Sequence, residues 1–274
     1  DIGGTKMRIA RSRDGETFDE PLRFDTPASY DEGIALLIKT AQDLSAGEKI
    51  DAVAGGIAGT LDPTRTHLVH ATHLVDWVQK PIHEQLMSAW NVPVYVENDS
   101  AVVGLGETNY GAGQGGGIVA YITVSTGIGG ARLIDGTLDV SGYSFEPGDQ
   151  IIAMNEQGKG VSVEDLVSGT ALERRFGKKP YAIEDSAVWE ELAHLLACAL
   201  YNTILHWTPA VVVLGGPMVV GKPAISVDRV RDHLKTLLSV YPTIPEIKQA
   251  TLKDIGGIYG ACALLKTKNT SKNI

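Results

Sequence analysis

Short β-rich runs that break into glycine recur along this chain, separated by stretches of helical periodicity, and this alternation constrains the fold most. Residues 1–6, Asp-Ile-Gly-Gly-Thr-Lys, look like a strand end and a tight turn, with a new strand over 7–10. Residues 51–57 read as a strand ending in glycines, 92–96 as a β-rich strand, and 118–124 as a buried strand running into Gly127, Gly129 and Gly130. Residues 210–214 run into Gly215-Gly216, and 246–250 form a last strand. Between them, 30–46 places Ile34, Leu37, Ile38, Ala41 and Leu44 on one helical face. Helices are also expected over 81–90, with proline near the start, and over 100–110, 187–207, 227–240 and 257–266. Strands alternating with helices predict an α/β fold.

Residues 111–117 hold five glycines and read as a flexible connection. The expected division is a smaller N-terminal lobe of residues 1–110 with the closing helix 257–274, and a larger C-terminal lobe of 111–256. The two halves share an outline, each with a glycine-bearing strand turn, which predicts a duplicated fold with a cleft between lobes. Asp135-Gly136 is the expected turn of a hairpin over 130–140. The tail from Thr267 is polar and expected to fray. A strand normally precedes a turn like that at 1–6, so the sequence is expected to be truncated at its start.

Charge excludes one class of partner. Twenty-four Lys and Arg face 33 Asp and Glu, a formal net charge of −9 with no basic patch, so no nucleic-acid partner is expected. No run reaches the length of a membrane span. The two cysteines, Cys198 and Cys262, sit in apolar helix-like segments and read as buried free thiols, which suits a reducing cytoplasm.

Four segments can carry chemistry. In residues 1–6, Gly3 and Gly4 let a backbone approach phosphate oxygens closely, Thr5 adds a hydroxyl, Lys6 a positive charge, and Asp1 can hold hydrated magnesium. The alternative is an ordinary strand–turn–strand. Ser125-Thr126-Gly127-Ile128-Gly129-Gly130 has the form of a second phosphate loop or of a plain hairpin turn. In Glu97-Asn98-Asp99, between a strand and a helix, either acid–amide residue can be a helix N-cap, or Asp99 can be a base that accepts a hydroxyl proton. Gly215-Gly216 after a buried strand offers a backbone against which a flat base could lie, or is a simple strand-to-loop break. His67, His70 and His73 fall close together, but no helix is expected there to align them on a metal.

In this order the segments resemble the ROK family of sugar kinases and related regulators, within the wider superfamily of sugar kinases, actin and heat-shock chaperone ATPases. The resemblance covers nearly the whole chain. It includes Gly56-Ile-Ala-Gly59, Trp77, Ser168-Gly169, Leu214-Gly-Gly-Pro217 and Gly257-Ile-Tyr-Gly-Ala261 besides the segments above. It implies a two-lobed actin-like ATPase (ribonuclease H-like) fold. It also implies Mg·ATP bound by Gly3, Gly4, Thr5, Lys6, Thr126, Gly127, Gly129, Gly215 and Gly216, with Asp1 on magnesium through water. A sugar substrate would be held by Gly59, Asn98, Asp99, Glu146, Asp149 and Glu164, with Asp99 as catalytic base, in a homodimer. The implied reaction is ATP-dependent phosphorylation of a hexose or N-acetylhexosamine; the alternative is a sugar-sensing regulator without catalysis. A chaperone-like ATPase needs more residues than are present.

The departures are as specific. The family's Glu-x-Gly-His is here Glu146-Pro-Gly-Asp149, and its cysteine-rich zinc segment has no counterpart, since no cysteine occurs from 141 to 170. No zinc site is therefore expected. Asp149 puts an acceptor-only carboxylate where the family has an imidazole.

Overall fold

The computed structural model describes residues 1–139 and 142–270. The chain divides into two compact units, one of residues 1–109 with 137–144 and the C-terminal helix, the other of residues 110–136 and 145–253.

The first unit opens with Ile2, which bridges antiparallel to Met7 and parallel to Ile57. It thereby links two strand pairs. One is the hairpin β1 (Lys6–Ile9) and β2 (Leu22–Asp25). The other is the parallel pair formed by β3 (Val53–Ile57) with β6 (Val94–Asn98). Between β2 and β3 runs α1 (Tyr30–Ser45), capped by the Ser29 side chain and ended by Ala46 in the left-handed region. Between β3 and β6 lie the short antiparallel strands β4 (Thr60–Leu61) and β5 (Leu68–His70), and then α2 (Ile82–Trp90). Pro81 caps α2 and is not its first residue. α3 (Asp99–Tyr110) follows β6 directly. Ile2, Met7, Ile57, Leu61, Leu68, Trp77, Leu86 and Val96 form one core. Trp77, part of the family resemblance, is a core side chain: a Cβ at Gly33 of α1 would lie 2.1 Å from its ring.

The second unit is built on β7 (Ile118–Val124) and β8 (Ile128–Ile134), an antiparallel pair in full register from Ile118 opposite Ile134 to Val124 opposite Ile128. After β8, Asp135 and Gly136 both take positive φ, 48° and 77°, as a two-residue hairpin turn requires, and β9 (Thr137–Leu138) follows. Val140, the expected end of that hairpin, lies outside the described residues. Next come β10 (Ile151–Met154) and β11 (Gly160–Ser162), then α4 (Val163–Val167), α5 (Gly169–Phe176) and the long α6 (Ser186–Trp207). β12 (Val211–Gly215), α7 (Pro217–Val220), α8 (Val227–Leu237) and β13 (Glu246–Gln249) complete it. The sheet order is β13-β12-β7-β8, with β12 parallel to both neighbours. β12 is buried along its whole length, as a continuous apolar run between covered faces should be. α6 packs Leu192, Leu196, Leu200 and Ile204 into the core of this unit.

α9 (Gly256–Thr270) returns to the first unit. The helix continues through Thr267, where fraying was expected. It meets α3 through glycine: a Cβ on Gly260 would lie 1.7 Å from the Val102 carbonyl oxygen, and one on Gly106 2.5 Å from that of Gly256.

Candidate active site

In the first unit the chemistry gathers where β6 turns into α3. The capping question is answered by geometry. Asn98 is the cap: its Oδ1 accepts the Ala101 N–H at 3.1 Å, and its Nδ2 donates to the Gly59 carbonyl at 3.0 Å. Each end of the Asn98 amide thus makes one bond within the protein, which leaves its second N–H and second carbonyl lone pair for a ligand. Asp99 is left over. Its Oδ1 accepts from the Ser100 N–H at 2.7 Å and from the Ser100 hydroxyl at 3.4 Å, and Oδ2 has no hydrogen-bond partner among the described residues. Burial pushes the Asp99 carboxyl above its ordinary range, outweighing the Ser100 hydrogen bonds that favour the anion. Gly56 lets Asp99 sit this deep, since a Cβ there would lie 2.8 Å from the Asp99 Cα. Gly59, at φ 127°, is needed because a Cβ would meet the His70 carbonyl at 2.6 Å.

The first glycine loop is a hairpin turn. The Gly3 N–H donates to the Lys6 carbonyl at 3.0 Å, and the Thr26 hydroxyl donates to the Gly3 carbonyl at 2.7 Å. The Gly3 N–H is thus used within the turn. Gly4 is glycine for a different neighbour: a Cβ there would fall 2.8 Å from the His73 Cβ, so that exposed side chain lies on the turn. Thr5 is exposed, with its carbonyl on the Thr26 N–H. Lys6 is exposed and its ammonium pairs with Asp25 across the hairpin. Asp1 is paired with Arg8, Oδ2 to Nη1 at 3.2 Å, and its carboxylate rests on Gly257. One carboxylate already sharing an oxygen with arginine fits a hydrated magnesium held through water, not a direct ligand cage.

In the second unit, residues 125–127 are the three-residue turn of the β7–β8 hairpin, a geometry compatible with either reading of this segment. The turn is braced from outside. Gly169 and Thr170, at the start of α5, donate their N–H groups to the Ser125 and Thr126 carbonyls at 2.7 and 3.1 Å, and the Ser168 hydroxyl caps that helix. Glu164 accepts the Ile128 N–H at 2.6 Å, and a Cβ on Gly127 would lie 2.7 Å from the same carboxylate oxygen. Gly127 is thus required by Glu164, whatever else approaches it. Thr126 is exposed, and Gly129 sits in the ladder opposite Thr123. Gly215 and Gly216 press on the same strand: Cβ atoms would lie 2.6 Å from the Tyr121 hydroxyl and 2.3 Å from the Val124 carbonyl. Both glycine segments expected to serve a nucleotide in this unit therefore converge at the end of β7. Glu146 precedes the 3-10 turn Pro147–Asp149 and Asp149 ends it; both are exposed.

The brace on Ile128 predicts a measurable consequence. Glu164→Ala removes a charge-assisted acceptor, an interaction of about 1.5–3 kcal/mol, so nucleotide KM is expected to rise on the order of tenfold to a hundredfold. A change confined to the sugar KM would return Glu164 to the sugar.

His67 hydrogen-bonds Thr66 at 3.0 Å, while His73 lies on Gly4. Among the described residues no three His, Cys, Asp or Glu side chains are placed to hold a metal ion. Nor is any described helix long and apolar enough to cross a membrane.

The ROK family sequence profile matches residues 1–268. The chain belongs to the ROK family. A Bacillus subtilis (strain 168) protein, provisionally described as a fructokinase, is 31% identical over 240 residues, covering 82% of this chain and 78% of that one. The ROK hexokinase of Thermus thermophilus is 25% identical, covers 98% of this chain and 97% of its own, and superposes with a TM-score of 0.80. A ROK glucokinase from Streptomyces griseus, solved with glucose and AMPPNP, has a TM-score of 0.78 at 23% identity, covering 96% of each chain. This ROK protein therefore has the mixed α/β, actin-like ATPase fold over nearly its full length.

Proposed function

We propose that this ROK protein transfers the γ-phosphoryl group of ATP to a hydroxyl of a hexose or N-acetylhexosamine, with Asp99 as general base. The observation that carries the reading is Asp99 itself. Its carboxylate is neither the helix cap nor part of an ion pair, and burial makes it a stronger base than an ordinary aspartate. The names of its relatives, a hexokinase, a glucokinase bound to glucose and an ATP analogue, and a fructokinase assignment, support a sugar as the acceptor.

In this reading the free Oδ2 of Asp99 accepts the hydrogen bond of the attacking hydroxyl and takes its proton as the new oxygen–phosphorus bond forms. The bond from the γ-phosphorus to the bridging oxygen breaks, and ADP leaves. Asn98 and Gly59 hold the end of β6 so that the carboxylate stays directed. The braced 125–130 hairpin and Gly215-Gly216 carry the nucleotide. Magnesium bound with the nucleotide, through water on Asp1, would neutralise phosphate charge.

Sugar-dependent ADP release across glucose, fructose, mannose and the N-acetylhexosamines tests the reading. The exposed Asp149 in place of an imidazole is what favours the regulator instead: tight sugar binding with no turnover would establish it. The nucleotide assignment has its own test. Gly129→Val puts a strand-favouring residue at a ladder position, so the hairpin should persist while its bulk blocks phosphate approach. ATP affinity is expected to fall with sugar binding retained; the opposite pattern would reject the assignment.

A further inference from the structure

Arg65 stands in the turn between β4 and β5, a segment with no assigned role. Asp62 shapes that turn. One of its carboxylate oxygens accepts the Thr64 N–H at 2.9 Å and the Thr64 hydroxyl; the other accepts the N–H groups of Thr66 and His67 at 2.7 and 3.1 Å. Arg65 itself has φ 61°, the left-handed region that a residue with a Cβ occupies only at a cost. The turn accepts that cost and delivers the side chain inward.

The guanidinium then ties three points together. Nε donates to Glu97 Oε2 at 2.8 Å, and Nη1 donates to the Asp62 carbonyl at 3.1 Å and the Gly142 carbonyl at 2.7 Å. The ion pair is nearly dry, with the Arg65 side chain 14% exposed and the Glu97 side chain 6%. A buried ion pair is a weak source of stability, because desolvation offsets the attraction and an apolar pair of the same size often does as well. Geometry is what such a pair supplies, and the geometry here is that of the active end of β6. Glu97 is the residue before Asn98 and Asp99, opposite Gly56 in the strand pair, and Gly56 is the glycine on which Asp99 rests.

We propose that Arg65 is a positioning residue for the phosphoryl-transfer site: through Glu97 and the Gly142 carbonyl it fixes the direction in which Asn98 and Asp99 leave β6. The proposal rests on the reading of Asp99 as the base. It separates Arg65 from a purely structural role, because its effect is on where the base points and not on whether the unit folds.

Three proteins test it: the wild type, Arg65→Met, and Arg65→Met with Glu97→Leu. The single variant leaves Glu97 buried without its partner, so its melting temperature falls; the double variant removes the charge as well, so the melting temperature recovers. Activity is expected not to recover. With the base misdirected, kcat falls on the order of tenfold to a hundredfold in both variants, while KM for ATP stays nearly unchanged. Calorimetric binding of glucose and fructose weakens in both. Recovery of kcat and hexose affinity together with the melting temperature would overturn the proposal and make the pair structural. A wild type that binds hexose without releasing ADP would sink the kinase reading alone, and the binding measurements would then decide for or against Arg65. A wild type that binds none of glucose, fructose, mannose and the N-acetylhexosamines overturns both.

Discussion

Asp99→Asn is expected to reduce turnover on the order of a hundredfold or more while leaving the fold intact. The fold survives for a definite reason: α3 is capped by Asn98, whose bonds to Ala101 and Gly59 the substitution does not touch. The amide keeps the size of the carboxylate but cannot take a proton. The pH dependence follows from the raised carboxyl. The ionised form is needed, so kcat/KM of the wild type should rise with pH through the Asp99 pKa, and that limb should lie above the ordinary aspartate value of about 3.9. For stability the sign is opposite. A raised folded pKa contributes stability that is fully present below the unfolded value and is lost as pH rises through the folded one. Above the Asp99 pKa the wild type therefore carries a buried charge that the mutant lacks. Asp99→Asn should melt at or above the wild-type temperature above that pKa, and the difference should shrink as pH falls through it. Steady-state kinetics and melts across that pKa check both. Near-normal turnover in the mutant would remove Asp99 from the chemistry.

Gly260→Ala is expected to be the most damaging small substitution in the first unit. Helix propensity alone favours alanine inside α9 by about 1 kcal/mol. Packing reverses the sign. The added Cβ would fall 1.7 Å from the Val102 carbonyl oxygen and 2.6 Å from its carbon, and both are helix backbone atoms that no rotamer can move. α9 and α3 must separate, opening the contact that Gly106 and Gly256 also form. Overpacking of this kind costs about 3 kcal/mol, which for a chain of this size corresponds to a melting temperature lower by roughly 6–12 °C. Thermal denaturation of the variant checks it. A higher melting temperature would mean that propensity dominates and that the helices do not touch at Gly260.

Some of this protein is readable without coordinates. Ile118–Val124 forms the strand expected of it, and α6 begins one residue before its expected start and ends at Trp207, because long apolar runs and helical stripes bury the same way in any context. β2, reading Leu-Arg-Phe-Asp, is not legible: it is mostly exposed and exists because β1 supplies its hydrogen bonds. β10 and β11 are missed for the same reason, with Ile151 and Met154 more than half exposed. α8 stops at Leu237, short of the expected 240: Leu238 continues the buried stripe of Val230 and Leu234 but has already left helical geometry as the C-cap.

The residue types at the candidate site, and their order along the chain, belong to the sequence: glycine loops, Asn98-Asp99, and the carboxylates at 146, 149 and 164. What each residue does there was decided by contacts between segments far apart in the chain. Asn98 and Asp99 can each cap a helix, and Gly59, 39 residues away, engages Asn98 and leaves Asp99 to its burial. Gly4 and Gly127 are glycines for local reasons as well, since His73 lies on the first and Glu164 on the second. The Arg65–Glu97 pair spans 32 residues and has no local signal at all. Local propensity and periodicity depend on neighbours within a few positions, so they are written in the chain. Desolvation, close approach and charge pairing depend on which distant backbone arrives within a few ångströms, and only the packed structure determines that.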